Sequence, residues 1–156
     1  MSKLFLSVPY REYPILKQGS GGKLGSNKPL IDLEIKNTTR SIPALLDSGA
    51  DRSISFKDIG EKWFGLEFTN QDKFLQGISG LHTCNKNDCE DHPNKATAYL
   101  KPVNFILKEK EINLNIIWLD RPFNAPDDVL LILGRDFFNN FDILFKQREE
   151  EIKLFE

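Results

Sequence analysis

The sequence predicts an all-β fold with one or two short helices, and three features predict it. Leu30-Ile31-Asp32-Leu33-Glu34-Ile35 and residues 112–119 alternate apolar and polar side chains with period two, as half-buried strands do. Residues 129–133 form a short, wholly apolar run that suits a strand buried on both faces. The chain closes on two strand-like runs, residues 142–145 and 151–155, around the polar turn Gln147-Arg148-Glu149-Glu150, which reads as a hairpin.

Taken in order, residues 4–8 and 13–17 are short strand candidates interrupted by Pro9 and Pro14, which suits an edge or an exchanged terminal strand. Residues 18–27 are glycine-rich. Their spacing fits neither G-x-G-x-x-G nor G-x-x-x-x-G-K-[ST], and no helical pattern follows, so a flexible hairpin loop is expected in place of a phosphate cradle. After the strand at 30–35, Thr38-Thr39-Arg40 turns the chain back. Ser55-Phe56-Lys57-Asp58 offers a capping box for a helix through about Phe64, with Gly65 as its stop. Residues 74–80 form a strand and a glycine-rich tip, and an insert at 85–95 precedes a long β segment over 96–108. Trp118 is expected in the core, residues 121–126 in a loop, and one helical turn over 136–140. No internal repeat is visible.

The most informative stretch is Ile42-Pro43-Ala44-Leu45-Leu46-Asp47-Ser48-Gly49-Ala50-Asp51. An apolar run delivers one carboxylate out of a buried strand into a Ser-Gly turn, and a second carboxylate follows four residues later. Burying a carboxylate without partners is costly, so such a strand end either satisfies the charge with donors or uses it chemically. The plain alternative is an ordinary strand-to-turn exit, because Asp, Ser and Gly favour turns.

Asp47-Ser48-Gly49-Ala50-Asp51 resembles the active-site turn of the retropepsin-like aspartic peptidases. Leu130-Leu131-Ile132-Leu133-Gly134-Arg135-Asp136 resembles the segment that closes behind that turn, and Gln76-Gly77-Ile78-Ser79-Gly80 resembles the tip of the family's flap hairpin. The three elements occur in the family's order across residues 28–156, and the end of the chain looks most like stand-alone prokaryotic members. The resemblance implies a single-lobe acid protease barrel over residues 1–156, completed as a homodimer because only one Asp-Ser-Gly is present. It implies an aspartic endopeptidase acting on a peptide or protein substrate without a cofactor. Asp47, Ser48 and Gly49 would be the catalytic turn; Ala50, Asp51, Gln76, Gly77, Ile78, Ser79 and Gly80 would bind substrate; Gly134 and Arg135 would support the turn, Arg135 by pairing with Asp51. Ser48 replaces the commoner Thr and Ser79 a common Gly. A catalytically silent peptide-binding or dimerisation module is the competing reading.

One cluster lies outside the family pattern. His82, Cys84, Cys89 and His92 hold both histidines and both cysteines of the chain. They suit a solvated polar insert, a structural zinc clip or a Cys84–Cys89 disulfide, and the first is expected because the spacing matches no standard finger. No catalytic metal is expected.

Bulk properties narrow the classes. At 156 residues and 40% hydrophobic, the chain has enough apolar content for one modest core. A net charge of -2 without a basic stripe argues against nucleic-acid and anionic-membrane partners. The absence of a long apolar run and of a signal-like N-terminus, with only two cysteines, leads to the expectation of a cytoplasmic protein.

Overall fold

The computed structural model describes residues 1–12, 27–77, 95–120 and 130–156, the side chains of 74–77 and 95–96 excepted. In chain order the elements are β1 (Leu4–Pro9), β2 (Leu30–Ile35), β3 (Ser41–Leu46), β4 (Ile54–Phe56), α1 (Lys57–Phe64), β5 (Lys73–Gly77), β6 (Lys95–Leu107), β7 (Lys110–Leu119), β8 (Leu131–Leu133), α2 (Arg135–Phe138), β9 (Asp142–Lys146) and β10 (Glu151–Phe155). The expectations for residues 13–17, most of the glycine-rich loop, the insert at 85–94 and the loop at 121–126 fall outside the described residues.

Six strands form a closed barrel in the order β2-β3-β8-β4-β7-β6, and β6 returns to β2 through Glu34↔Ile106 and Ile35↔Phe105. Neighbours are antiparallel except β3–β8 and β4–β7, which run parallel. The expected alternation accounts for the packing: β2 turns Ile31, Leu33 and Ile35 inward and Asp32 and Glu34 outward, and the first half of β7 does the same with Ile112, Leu114 and Ile116. From Ile117 to Leu119 the alternation stops and every side chain is buried, where β4 pairs along the strand and α1 packs against it. Trp118 is fully buried and its indole N–H donates to the Lys101 carbonyl at 3.2 Å. Phe64 and Phe68 pack on it with ring centroids 5.4 and 5.8 Å away.

Helix α1 ends as its sequence dictates, at Gly65 in the left-handed region with φ 65°. Its start corrects the expected capping box. The N-cap is Phe56 with no side-chain cap, because the Ser55 hydroxyl is buried and donates to the Leu130 carbonyl instead. β5 pairs with β6 from Lys73↔Tyr99 to Gly77↔Lys95, the base of the expected flap hairpin.

β1, β10 and β9 make a second, three-stranded sheet in that order. Its inner face buries Ile152 and Leu154, with Phe5, Phe137 and Phe141 stacked nearby at centroid distances of 5.0 and 5.6 Å. β1 is an edge strand paired with β10 of its own chain. The β6–β7 turn reaches this sheet: Lys108 donates to the Phe5 carbonyl and Lys110 pairs with Glu156 at 2.8 Å. Among the described residues no helix is long and apolar enough to cross a membrane.

Candidate active site

β3 carries the apolar run Ala44, Leu45 and Leu46 into the barrel and releases the chain at Asp47. The Asp47 amide still belongs to the sheet, donating to the Leu133 carbonyl at 3.0 Å, so the residue is anchored at the parallel β3–β8 seam. Its carboxylate accepts the Gly49 N–H at 2.8 Å, and its carbonyl accepts the Ala50 N–H at 3.2 Å. Both bonds curl the turn around Asp47. Asp47 is half-buried while Ser48 and Gly49 are exposed, so the turn presents its carboxylate at the surface of the barrel.

The other side of the turn is closed by Gly134 and α2. The Arg135 N–H donates to the Ala50 carbonyl at 2.9 Å, and the Arg135 guanidinium pairs with Asp51. Both side chains of that pair are largely exposed, 65% and 77%, which limits its contribution in this state. Gly134 is required by close approach. A Cβ there would stand 2.6 to 2.7 Å from backbone atoms of Arg52 and Ala50, so the two segments touch backbone to backbone.

A second anchor was not foreseen in the sequence. The Asp136 carboxylate accepts the Ser53 N–H at 3.1 Å, the Ser53 hydroxyl at 2.7 Å and the Phe137 N–H at 2.9 Å. Ser53 is fully buried, and its oxygen also accepts the Gly134 N–H at 3.2 Å. A charged acceptor facing three donors makes strong hydrogen bonds. The signal that marks it is Ser53-Ile54-Ser55: on a strand next to the core, the period-two pattern turns polar residues inward, which happens only where they have partners.

Asp47, Ser48, Gly49, Ala50 and Asp51 thus come together with Gly134 and Arg135 in one hydrogen-bonded unit. Gln76 and Gly77 lie in β5, and their side chains are outside what the structure describes. Ile78, Ser79, Gly80, His82, Cys84, Cys89 and His92 lie outside the described residues. Among the described residues no cluster of His, Cys, Asp and Glu suits a metal ion.

The chain is similar over its whole length to a retropepsin-like aspartic protease from Rickettsia conorii, with 14% identity, 99% of this chain and 93% of that one covered, and a TM-score of 0.54, which shows a shared fold. It also matches the EIAV protease complexed with the inhibitor HBY-793 at 22% identity, covering 74% of this chain and 88% of that one with a TM-score of 0.48. The retroviral protease-like domain of Ddi1 from Leishmania major aligns at 14% identity, covering 83% and 94%, with a TM-score of 0.49. No curated protein matches the sequence. The family described as retroviral aspartyl protease matches residues 25–145, which take in β2 through α2, all of β9 but its last residue and every residue of the Asp47 turn, and the chain therefore belongs to the retroviral aspartyl protease family.

Proposed function

We propose that this chain is an aspartic endopeptidase that works as a homodimer, with Asp47 of each subunit forming the catalytic pair. The observation that carries the reading is the Asp47 carboxylate: it leaves β3 half-buried, is oriented by the Gly49 N–H, and has one such turn per chain. An isologous twofold interface supplies the second carboxylate without any new surface.

Two carboxylates held about 3 Å apart cannot both ionise and so share one proton. The ionised one takes a proton from water as the water oxygen attacks the scissile carbonyl, and the protonated one donates to the carbonyl oxygen. Collapse of the tetrahedral intermediate breaks the C–N bond and returns a proton to the leaving amine. Ser48 holds its counterpart across the twofold axis, Asp51 and Ala50 face the peptide backbone, and the flap residues Gln76, Gly77, Ile78, Ser79 and Gly80 fold over it. Arg135 and Gly134 fix the turn. Residues 1–156 act as one domain, and the partners are a second copy and a peptide, not nucleic acid or membrane.

Asp47→Asn should abolish hydrolysis of a peptide library while leaving the protein folded and dimeric by sedimentation and circular dichroism. Hydrolysis at the wild-type kcat by this variant would refute the assignment. The pH profile of kcat/KM should be bell-shaped and centred below neutrality, with two apparent values belonging to the pair. A rate that climbs through pH 8 and is lost with chelator would point to a metal-bound hydroxide instead.

A further inference from the structure

Of the two edges of the terminal sheet, one is blunted and the other is bare. On β1 the pairing with β10 slips between Leu4 and Leu6, the Phe5 carbonyl is taken by the Lys108 ammonium, and Pro9 ends the strand without an N–H. β9 has none of these devices. Among the described residues its outer side pairs with no strand, it contains no proline, and Leu144 at its centre is 46% exposed. Such an edge offers N–H and C=O groups at every second residue and is a template for another strand.

The order of side chains along β9 says which strand fits. Ile143 and Phe145 lie opposite the buried Leu154 and Ile152, on the inner face, while Asp142, Leu144 and Lys146 share the outer face. Laid antiparallel on a second copy and centred on Leu144, the strand is complementary to itself in every row. Asp142 meets the partner's Lys146, Ile143 meets the partner's Phe145, and Leu144 meets the partner's Leu144. A slip of one residue sets a charge against Ile143 or Phe145, and a slip of two sets a charge against Leu144. Lys146 also lies 2.9 Å from Glu149, and Asp142 accepts the Ser2 hydroxyl at 3.1 Å. An ammonium has three donors and a carboxylate about four acceptor sites, so both keep capacity for a partner.

We propose that two copies of the chain join edge to edge through β9, with Leu144 on the twofold axis, so that two three-stranded sheets become one continuous sheet and each β1 stays on its own chain. The proposal rests on the homodimeric peptidase reading and names its interface. The joined strands also bear on the Asp47 turn: Phe145 packs on Phe138 of α2 with ring centroids 6.1 Å apart, and α2 holds the turn through the Arg135 N–H to the Ala50 carbonyl.

Charge reversal with rescue tests the pairing. Asp142→Lys sets like charges in both outer rows of a homodimer, as does Lys146→Asp, whereas mixing the two chains in equal amounts restores opposite charges in both rows. Sedimentation at low salt should show each variant alone dimerising roughly tenfold more weakly than wild type and the mixture recovering the dimer, with peptide hydrolysis following the dimer in every sample. In a chain carrying Cys84→Ser and Cys89→Ser, Leu144→Cys should give a disulfide-linked dimer on mild oxidation, because residue 144 meets itself, and Ile143→Cys should not. Variants that each dimerise with the wild-type Kd, or a mixture that does not recover, overturn the β9 interface, and peptide cleavage by wild type then leaves the peptidase reading standing. A dimer that follows the charge pattern and links through residue 144 but cleaves no peptide upholds the interface and overturns the peptidase reading.

Discussion

Asp136 and Gly134 set the Asp47 turn more directly than the exposed Asp51–Arg135 pair. Asp136 accepts from both the amide and the hydroxyl of buried Ser53, so removing it strands two buried donors. Asp136→Ala should cost about 1–3 kcal/mol, read as a lowered melting temperature, whereas Asp136→Asn keeps one acceptor oxygen and should lose less. Equal losses for the two would show that the carboxylate oxygens are not what anchors Ser53. Gly134→Ala inserts a methyl group where only backbone atoms of Ala50 and Arg52 stand, and neither can move without shifting the turn. Overpacking of this kind costs about 1–3 kcal/mol, and here it should also reduce kcat, because the displaced segment holds Asp47. An unchanged melting temperature would mean that the turn yields freely.

The elements divide into those whose reason is local and those whose reason is distant. Period-two alternation sufficed for β2 and the first half of β7, and the polar turn sufficed for the β9–β10 hairpin, because each is decided by neighbours in sequence. The capping box at Ser55 failed for the opposite reason: the Leu130 carbonyl, brought in by β8, takes the hydroxyl that a free helix would have used. β8 is also shorter than its apolar run suggests, and Ile132 is only half-buried, since pairing with β3 and β4 spans a few residues. The terminal sheet has a local weakness in acid. The Ser7 hydroxyl donating to Glu151, helped by Lys153 and Lys146 and opposed by some desolvation, holds the Glu151 carboxyl below the usual carboxylate range. A group depressed in the folded state contributes its stability above the unfolded value and loses it as pH falls through the folded one. The melting temperature should therefore drop below about pH 4.3, and Glu151→Gln should show a smaller drop between pH 6 and pH 3. An identical slope in the variant would remove Glu151 from the account.

At the scale of the whole molecule, the barrel closes through contacts that local periodicity does not record. β2 meets β6 some seventy residues later, and β3 meets β8 some ninety residues later. Those pairings were legible only through the resemblance of three short motifs to a known family, while the Ser53–Asp136 link left no more trace in the sequence than the polar alternation of Ser53 and Ser55. The same long-range seam puts Asp47 at the rim of the barrel with one carboxylate, which in the proposed function is half of a catalytic pair. Subunit mixing tests that claim most directly. Wild-type and Asp47→Asn chains are combined in equal amounts at constant total protein, unfolded and refolded together so that subunits exchange, and peptide hydrolysis is measured. If each active site needs Asp47 from both subunits, only the wild-type homodimers act and activity should fall to about one quarter of that of pure wild type, as random pairing of identical interfaces requires. A fall to about one half would mean that each chain works on its own, and it would contradict the shared carboxylate pair.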